Sequence, residues 1–417
     1  MSQRRPPPAS AVAPWPYAGL DAPAAARLGW RPTPFRDFVV KVHQRCNLAC
    51  DYCYVYELQD RSWRDRPAVM PPAVVRAVAA AIGEHARAHD LPGIRVTLHG
   101  GEPLLAGADR LLALVDEVRA AVPPGCEAEF GVQTNGVLLT AGVLDRLVEG
   151  RIRVGVSLDG PPAANDRHRR RADGRGSHAD VARALALLGS GRARGAFAGI
   201  LCTADPATDP LACYEELVSY APPAIDFLLP HANWSYPPAR SGHAEWLIAI
   251  FDRWYAAPRR ETDVRLFSDI IAMICGGSGR TEQAGLSPCG VVVLESDGAI
   301  EQVDALKSAY PGAAATGLNV LADPLDAALR HPGVIARQLG AAALSEQCRG
   351  CAVHRVCGAG HYAHRFRAGD GFCNPTVYCA DMFRLITHIQ ARVLADLTTA
   401  APGAASASCT VPHPPKL

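Results

Sequence analysis

The chain has 417 residues, with 42 Lys and Arg against 41 Asp and Glu and a formal net charge of +1. A charge so close to zero gives no electrostatic footing for nucleic acid or an anionic membrane, and no run reaches the roughly 18 apolar residues of a membrane span. The length supports a large core and two domains.

Residues 1–35 are rich in Pro and Ala and are expected to form an irregular arm. The opening MSQRRPPPASAVAPWPY lacks the continuous apolar stretch of a signal peptide, so a cytoplasmic location is expected. In that reducing compartment the clustered cysteines, seven of the 14 in two short-spaced groups, read as metal ligands rather than disulfides.

From Phe38 short apolar runs alternate with helical stretches. FVVKVH (38–43) reads as a strand and PPAVVRAVAAAIGEHARAH (71–89) as a helix opened by proline. There follow the strand IRVTLH, a helix across LLALVDEVRAAV, the strand EAEFGVQT, a helix across VLDRLVEG and the strand IRVGVSL. After a long loop come a helix across ADVARALALLG and the strands AFAGILCT and AIDFLLP. Six strands separated by helices predict an α/β domain over residues 36–285, with a parallel sheet and ligands at the C-terminal strand ends. A helical stretch near 243–275 leads out of it. A Cys-rich second domain is expected over 286–385, then a closing helix (FRLITHIQARVLADL, 383–397) and a disordered tail within 386–417.

The first strand leads into Arg45-CNLACDYCY-Val55, where Cys46, Cys50 and Cys53 offer three thiolates and no fourth. A [4Fe–4S] cluster normally takes four cysteines, so three leave an open iron where a small molecule can bind. Zinc is the other reading of this segment, because His43 lies three residues upstream. The second strand ends in His99-GGEP-Leu104, with Gly100 and Gly101 able to approach a ligand closely and Glu102 a carboxylate beside them. The fourth ends in Ser157-LDGPPAANDRHR-Arg170, an Arg-rich stretch that is also compatible with a solvated loop. QTNG (133–136) closes the third strand and reads as an Asn-Gly turn. Late in the chain, Cys348, Cys351 and Cys357 with Cys379 make a closed four-thiolate set suited to iron–sulfur or to structural zinc.

These motifs, in this order, resemble the radical S-adenosylmethionine (SAM) enzymes with a SPASM auxiliary-cluster domain. The resemblance implies a partial (β/α)6 barrel in which Cys46, Cys50 and Cys53 hold a [4Fe–4S] cluster with an open iron. There SAM is chelated, and one electron cleaves it to a 5′-deoxyadenosyl radical. It further implies that Gly100, Gly101 and Glu102 meet the SAM amino group, Ser157 the ribose, Arg169 the carboxylate and Tyr52 the adenine. The His of the family's HD pair is Asn165 here.

Cys348, Cys351, Cys357 and Cys379 match one auxiliary [4Fe–4S] cluster. A first auxiliary cluster looks damaged: Val303-Asp304 stands where Cys-Asp is expected, and His361 fills another ligand position. A site rebuilt from Cys289, Cys373, His361 and Asp304 is the alternative to a single auxiliary cluster. Asp304 is the candidate general base, its other reading being a surface acid in a hairpin.

Four longer stretches, KVHQRCNLACDYCYVYELQDRSWRDRP, DFLLPHANW, LESDGAIEQVDALK and VCGAGHYAHRFRAGDGFCNPTVYCAD, resemble the FxsB-type maturases. That implies a ribosomally made precursor peptide as substrate and a three-residue cyclophane as product, a C–C bond from an aromatic ring to the β-carbon two positions later. An electron donor such as ferredoxin or flavodoxin is implied too. His231 and Trp234 would line the peptide channel. Thioether formation or oxidation of Ser or Cys is the rival chemistry, and a non-catalytic iron–sulfur or zinc protein the rival class.

Overall fold

The computed structural model describes residues 22–399. The expectations for residues 1–21 and for the tail from 400 lie outside them; within the arm, α1 (Ala22–Arg27) forms a short helix that the Pro and Ala content hid.

Strand β1 (Asp37–His43) and helix α2 (Pro72–Ala88) open a regular β/α alternation: β2 (Gly93–Gly100), α3 (Ala108–Ala121), β3 (Glu127–Thr134), α4 (Ala141–Glu149) and β4 (Ile152–Ser157). The long loop expected after β4 contains α5 (Pro162–His168), and α6 (His178–Leu188) leads to β5 (Phe197–Thr203). Between β5 and β6 (Ala224–Leu228) stands α7 (Pro210–Ser219), which apolar periodicity missed. Its start is written locally: Asp209 accepts the Ala212 amide at 2.8 Å, and Pro210 occupies the first turn, where its missing N–H costs nothing.

The single helical stretch expected over 243–275 is two helices, α8 (His243–Tyr255) and α9 (Arg265–Ile274), divided by the two-residue strand β7 (Asp263–Val264). Pro258 lies in the break and cannot continue α8.

The six expected strands are adjacent, parallel and in chain order. In β4 and β6 consecutive residues are buried on both faces, as helix-covered parallel strands require, while β2 and β3 alternate buried with partly exposed residues. The sheet does not stop there. β7 extends the far edge, and β8 (Val291–Leu294), β9 (Ala299–Glu301) and β10 (Ala315–Asn319) extend the near one, so the full order is β10-β9-β8-β1-β2-β3-β4-β5-β6-β7. β8 is parallel to β1, with Val40 in register with both Leu98 and Leu294. The Cys-rich segment therefore enters the same sheet as the β/α units. Short helices α10 (Leu325–Ala328), α11 (Pro332–Gln338), α12 (Glu346–Arg349) and α13 (His354–Cys357) follow, and α14 (Cys379–Thr399) packs back on α8 and α9. No described helix is long and apolar enough to cross a membrane.

Candidate active site

The C-terminal ends of β1 to β6 surround a cavity of about 180 Å3. Cys46, Cys50, Cys53, Tyr52, Gly100, Gly101, Ser157 and Arg169 all line it. Six of these eight come from loops that the chain brings together over more than a hundred residues, and Gly100 and Ser157 are the last residues of β2 and β4.

The three cysteines lie close enough for their charges to interact. Burial pushes the Cys46 thiol up to about 12 and the Cys50 thiol up to about 11. A cation among them is what would hold all three as thiolates. The donor set is three thiols with no fourth described cysteine on the cavity wall, and the one histidine there, His99, has its Nδ1 3.2 Å from the Lys41 ammonium; this fits a three-thiolate cluster better than a closed zinc site. His43 is turned away: its Nδ1 lies 3.1 Å from the Arg45 amide nitrogen and carbonyl oxygen, and it does not line the cavity.

Arg169 separates itself from its basic neighbours. Arg167, Arg170 and Arg171 face Asp205, the Asp166 carbonyl and Asp180 at the rim. Arg169 alone is buried; its Nη1 donates to Tyr52 Oη at 2.9 Å, and Tyr52 donates to Asp159 at 2.5 Å. Asp159 is fixed in turn by the Thr203 amide at 2.9 Å. The Arg169 Nε has no partner, a buried donor on the wall of a cavity. Asn165, at the position of the missing histidine, braces this loop by donating to Ser177 and Asp166 and accepting from the Asp159 amide.

Glu102 is placed under the cavity, not on its wall. One carboxylate oxygen accepts the Leu104 amide at 3.0 Å and Thr134 Oγ1 at 2.7 Å; the other accepts the Asn135 amide at 2.8 Å. Burial raises its pKa against those three bonds. Asn135 then donates to Asn47 at 2.8 Å and reaches the Cys46 sulfur at 3.7 Å. The QTNG segment is thus more than a turn: Asn135 touches the thiol loop, and Gln133 donates to Ser157 at 3.0 Å.

The two glycines serve packing. A Cβ on Gly100 would meet the His43 carbonyl oxygen at 2.1 Å, and one on Gly101 would meet Tyr56 Oη at 1.8 Å and the Arg45 carbonyl at 2.7 Å. Only glycine lets the thiol loop lie this close to the end of β2.

A second cavity, about 350 Å3, adjoins the first through Tyr54, His99 and Leu228. Asp304 lines it, buried, so it is not the surface acid of the alternative reading. Lys41 of β1 lies 2.6 Å and Lys307 3.2 Å from its oxygens. Burial alone would raise its pKa, but the two ammonium groups override it and hold the carboxyl well below the usual range. The network continues through Glu295, Glu301 and Arg66, so two buried lysines and a partly buried arginine face three buried anions. Sequence reading could not see it, because Lys41 sits unannounced in an apolar strand and its partners lie more than 250 residues away.

Cys348, Cys351, Cys357 and Cys379 converge from α12, the turn after it, α13 and the start of α14, close enough for Cys357 and Cys379 each to feel the charge of Cys348. Gly358 reverses the chain after α13 at φ +58°, and a Cβ there would strike the Gly285 carbonyl at 1.7 Å. Of the residues in the rebuilt alternative, Cys289 contacts Arg337, Asp304 pairs with lysines, and His361 stands beside His231 and His364. Of the two channel candidates, His231 lines the second cavity, while Trp234 lies outside it and donates to the Pro375 carbonyl at 2.8 Å.

The Radical SAM superfamily profile matches residues 40–194. The chain is 30% identical to the Synechocystis protein sll1766 over 163 residues, 37% of this chain and 38% of that one, so it spans well under half of that relative. It is 26% identical to a serine-type anaerobic sulfatase-maturating enzyme of Klebsiella aerogenes over 81% of this chain and 82% of that one. With a cysteine-type enzyme of Clostridium perfringens it shares 25% identity over 62% and 71%. In fold it is similar to native anSMEcpe with bound AdoMet, at TM-score 0.74 and 20% identity over 87% of this chain and 99% of that one. It is similar, too, to Streptococcus suis SuiB bound to the precursor peptide SuiA, at TM-score 0.56 and 13% identity over 86% and 78%. Residues 40–194 thus form a Radical SAM domain, and the chain is similar along most of its length to the anaerobic sulfatase-maturating enzymes.

Proposed function

We propose that this enzyme is a peptide maturase that joins an aromatic side chain to the β-carbon of a residue two positions later in a ribosomally made precursor, with ferredoxin or flavodoxin as electron donor. The observation that carries the reading is the pair of adjoining cavities: one walled by three thiols and the Arg169–Tyr52–Asp159 chain, the other by Asp304 and histidines.

Cys46, Cys50 and Cys53 would hold the [4Fe–4S] cluster, which with SAM supplies a radical able to remove a hydrogen atom from carbon. Arg169, aimed by Tyr52 and Asp159, offers a buried cation for the SAM carboxylate. Gly100 and Gly101 keep the thiol loop against β2, and Glu102 acts from beneath by fixing Asn135. Ser157, steadied by Gln133, is the hydroxyl placed for the ribose. The four thiols of Cys348, Cys351, Cys357 and Cys379 would hold a closed auxiliary cluster, which would supply an acceptor for the electron released when the new ring regains aromaticity.

Asp304 is held as a carboxylate by Lys41 and Lys307, a site of fixed negative charge in the second cavity. His99, whose Nδ1 lies 3.2 Å from the Lys41 ammonium, is pushed down to about 4 by burial and that charge. It is neutral at pH 7, and the proton leaving the ring can pass to it or to Asp304. The domain reading follows: 36–285 as the SAM-binding part, 286–385 as the auxiliary-cluster part and 386 onward as closing helix and tail.

The sulfatase-maturating relatives favour a second reading, oxidation of a Ser or Cys side chain. Incubating the reconstituted enzyme with SAM, dithionite and the peptide encoded beside it decides by mass spectrometry. A cyclophane loses two hydrogens and leaves substrate thiols free to alkylate. Formation of an aldehyde from Ser or Cys, or consumption of a thiol, would replace the proposal.

A further inference from the structure

His231, His361 and His364 are not used by the chemistry above, and they stand together. One ring nitrogen from each lies within 4.8 Å of the other two. Ring centroids are 5.6 Å apart for His231 and His361, 5.7 Å for His231 and His364, and 5.0 Å for His361 and His364. All three line the second cavity.

The local structure holds them there. His361 caps the 3-10 turn Tyr362–Arg365, a geometry that brings residues i and i+3 to the same side, so His361 and His364 face one direction. Arg365 clamps the turn by donating to the Gly358 and Gly360 carbonyls. His231 is delivered by the loop after β6 and packs on Tyr54 with centroids 4.8 Å apart.

Two of the rings carry an unmet need. His364 is 3% exposed and its Nε2 has no hydrogen-bond partner; the buried His231 Nδ1 has none either. An unpaired buried polar atom is costly, and no described carboxylate bonds to any of the three rings. His361 Nδ1 accepts the Ala363 amide, leaving Nε2 as its remaining donor atom. Imidazole suits borderline transition metals, and three histidines with one open position is the ligand set of zinc sites that bind a fourth group. Nitrogens at zinc distance would stand about 3.3 Å apart, a small closure for side chains already within reach. Glu282 and Asp304 on the same cavity offset the charge of Arg337 and Arg365 nearby.

We propose that His231, His361 and His364 bind one zinc-class divalent ion whose fourth position opens on the second cavity. There it takes an oxygen, nitrogen or sulfur of the substrate, or a water. The site is distinct from both cysteine sets, and its test does not depend on the reaction assigned above.

The iron–sulfur-loaded wild type, His361→Leu and His364→Gln are to be compared by zinc and iron analysis and by zinc-edge X-ray absorption. The expected result is one zinc per wild-type chain with a nitrogen and oxygen shell near 2.0–2.1 Å and no sulfur at 2.3 Å. Both variants lose that zinc and keep their iron, which also reports that they fold; should His364→Gln fail to fold, the half-buried His361→Leu decides. A wild type that takes no zinc, a sulfur shell, or zinc retained in His361→Leu would each overturn the proposal.

Discussion

Glu102→Gln removes one acceptor from a carboxylate that receives three donors. Its oxygens accept Leu104 N at 3.0 Å, Thr134 Oγ1 at 2.7 Å and Asn135 N at 2.8 Å. The amide satisfies the first two best by keeping its oxygen there, which turns its NH2 against the Asn135 N–H, donor to donor. Losing one charge-assisted hydrogen bond in the interior costs about 1.5–3 kcal/mol. Asn135 is the group released, and its Nδ2 holds Asn47 and touches Cys46.

If half or more of that energy reaches the bound ligand, SAM affinity falls roughly 3- to 140-fold at 1.4 kcal/mol per decade, while iron bound at the triad is retained. Equilibrium dialysis of SAM and an iron assay on the reconstituted variant measure both. Asn135→Ala should weaken SAM by a similar factor. Affinity unchanged within twofold in Glu102→Gln, or a loss there with none in Asn135→Ala, would refute the idea that Glu102 works through Asn135.

Two further outcomes follow from the other sites. Cys351→Ala should spare 5′-deoxyadenosine formation more than peptide crosslinking, because on the proposed reading the cluster held by the second thiol set would be needed only after the first chemical step; equal losses would mark that set as structural. Glu295, which burial would raise, is driven down to about 2 by Lys307, Arg66 and Lys41 against an ordinary 4.5. A depressed folded pKa adds stability that is full above about pH 4.5 and disappears as pH falls toward 2. The difference between wild type and Glu295→Gln in urea denaturation should therefore close over that window, and a gap independent of pH would contradict it.

Much of this was readable in the chain because it is local. EAEFGVQT is strand β3 to the residue, and the thiol loop, GGEP and SLDG fall at strand ends where alternation places them. What escaped needed contacts across the fold. Strands β8 to β10 are short, and only pairing with β1 makes them part of the large sheet. Glu102 carries a ligand-like motif, yet its oxygens are committed to Thr134 and Asn135, a partnership that depends on β2 and β3 lying side by side. Asp304 reads as a hairpin acid until Lys41 is seen beside it. Arg169 looks like any member of a basic run; the bend after α5 turns it inward alone. His361, noted as a departure, gained meaning only with His231 from 130 residues earlier.

The central claim is an iron left without a protein sulfur at the triad, and electron paramagnetic resonance of the dithionite-reduced protein tests it. Adding SAM should shift one cluster signal in the wild type and shift nothing in Cys50→Ala. A wild-type spectrum blind to SAM would contradict the account.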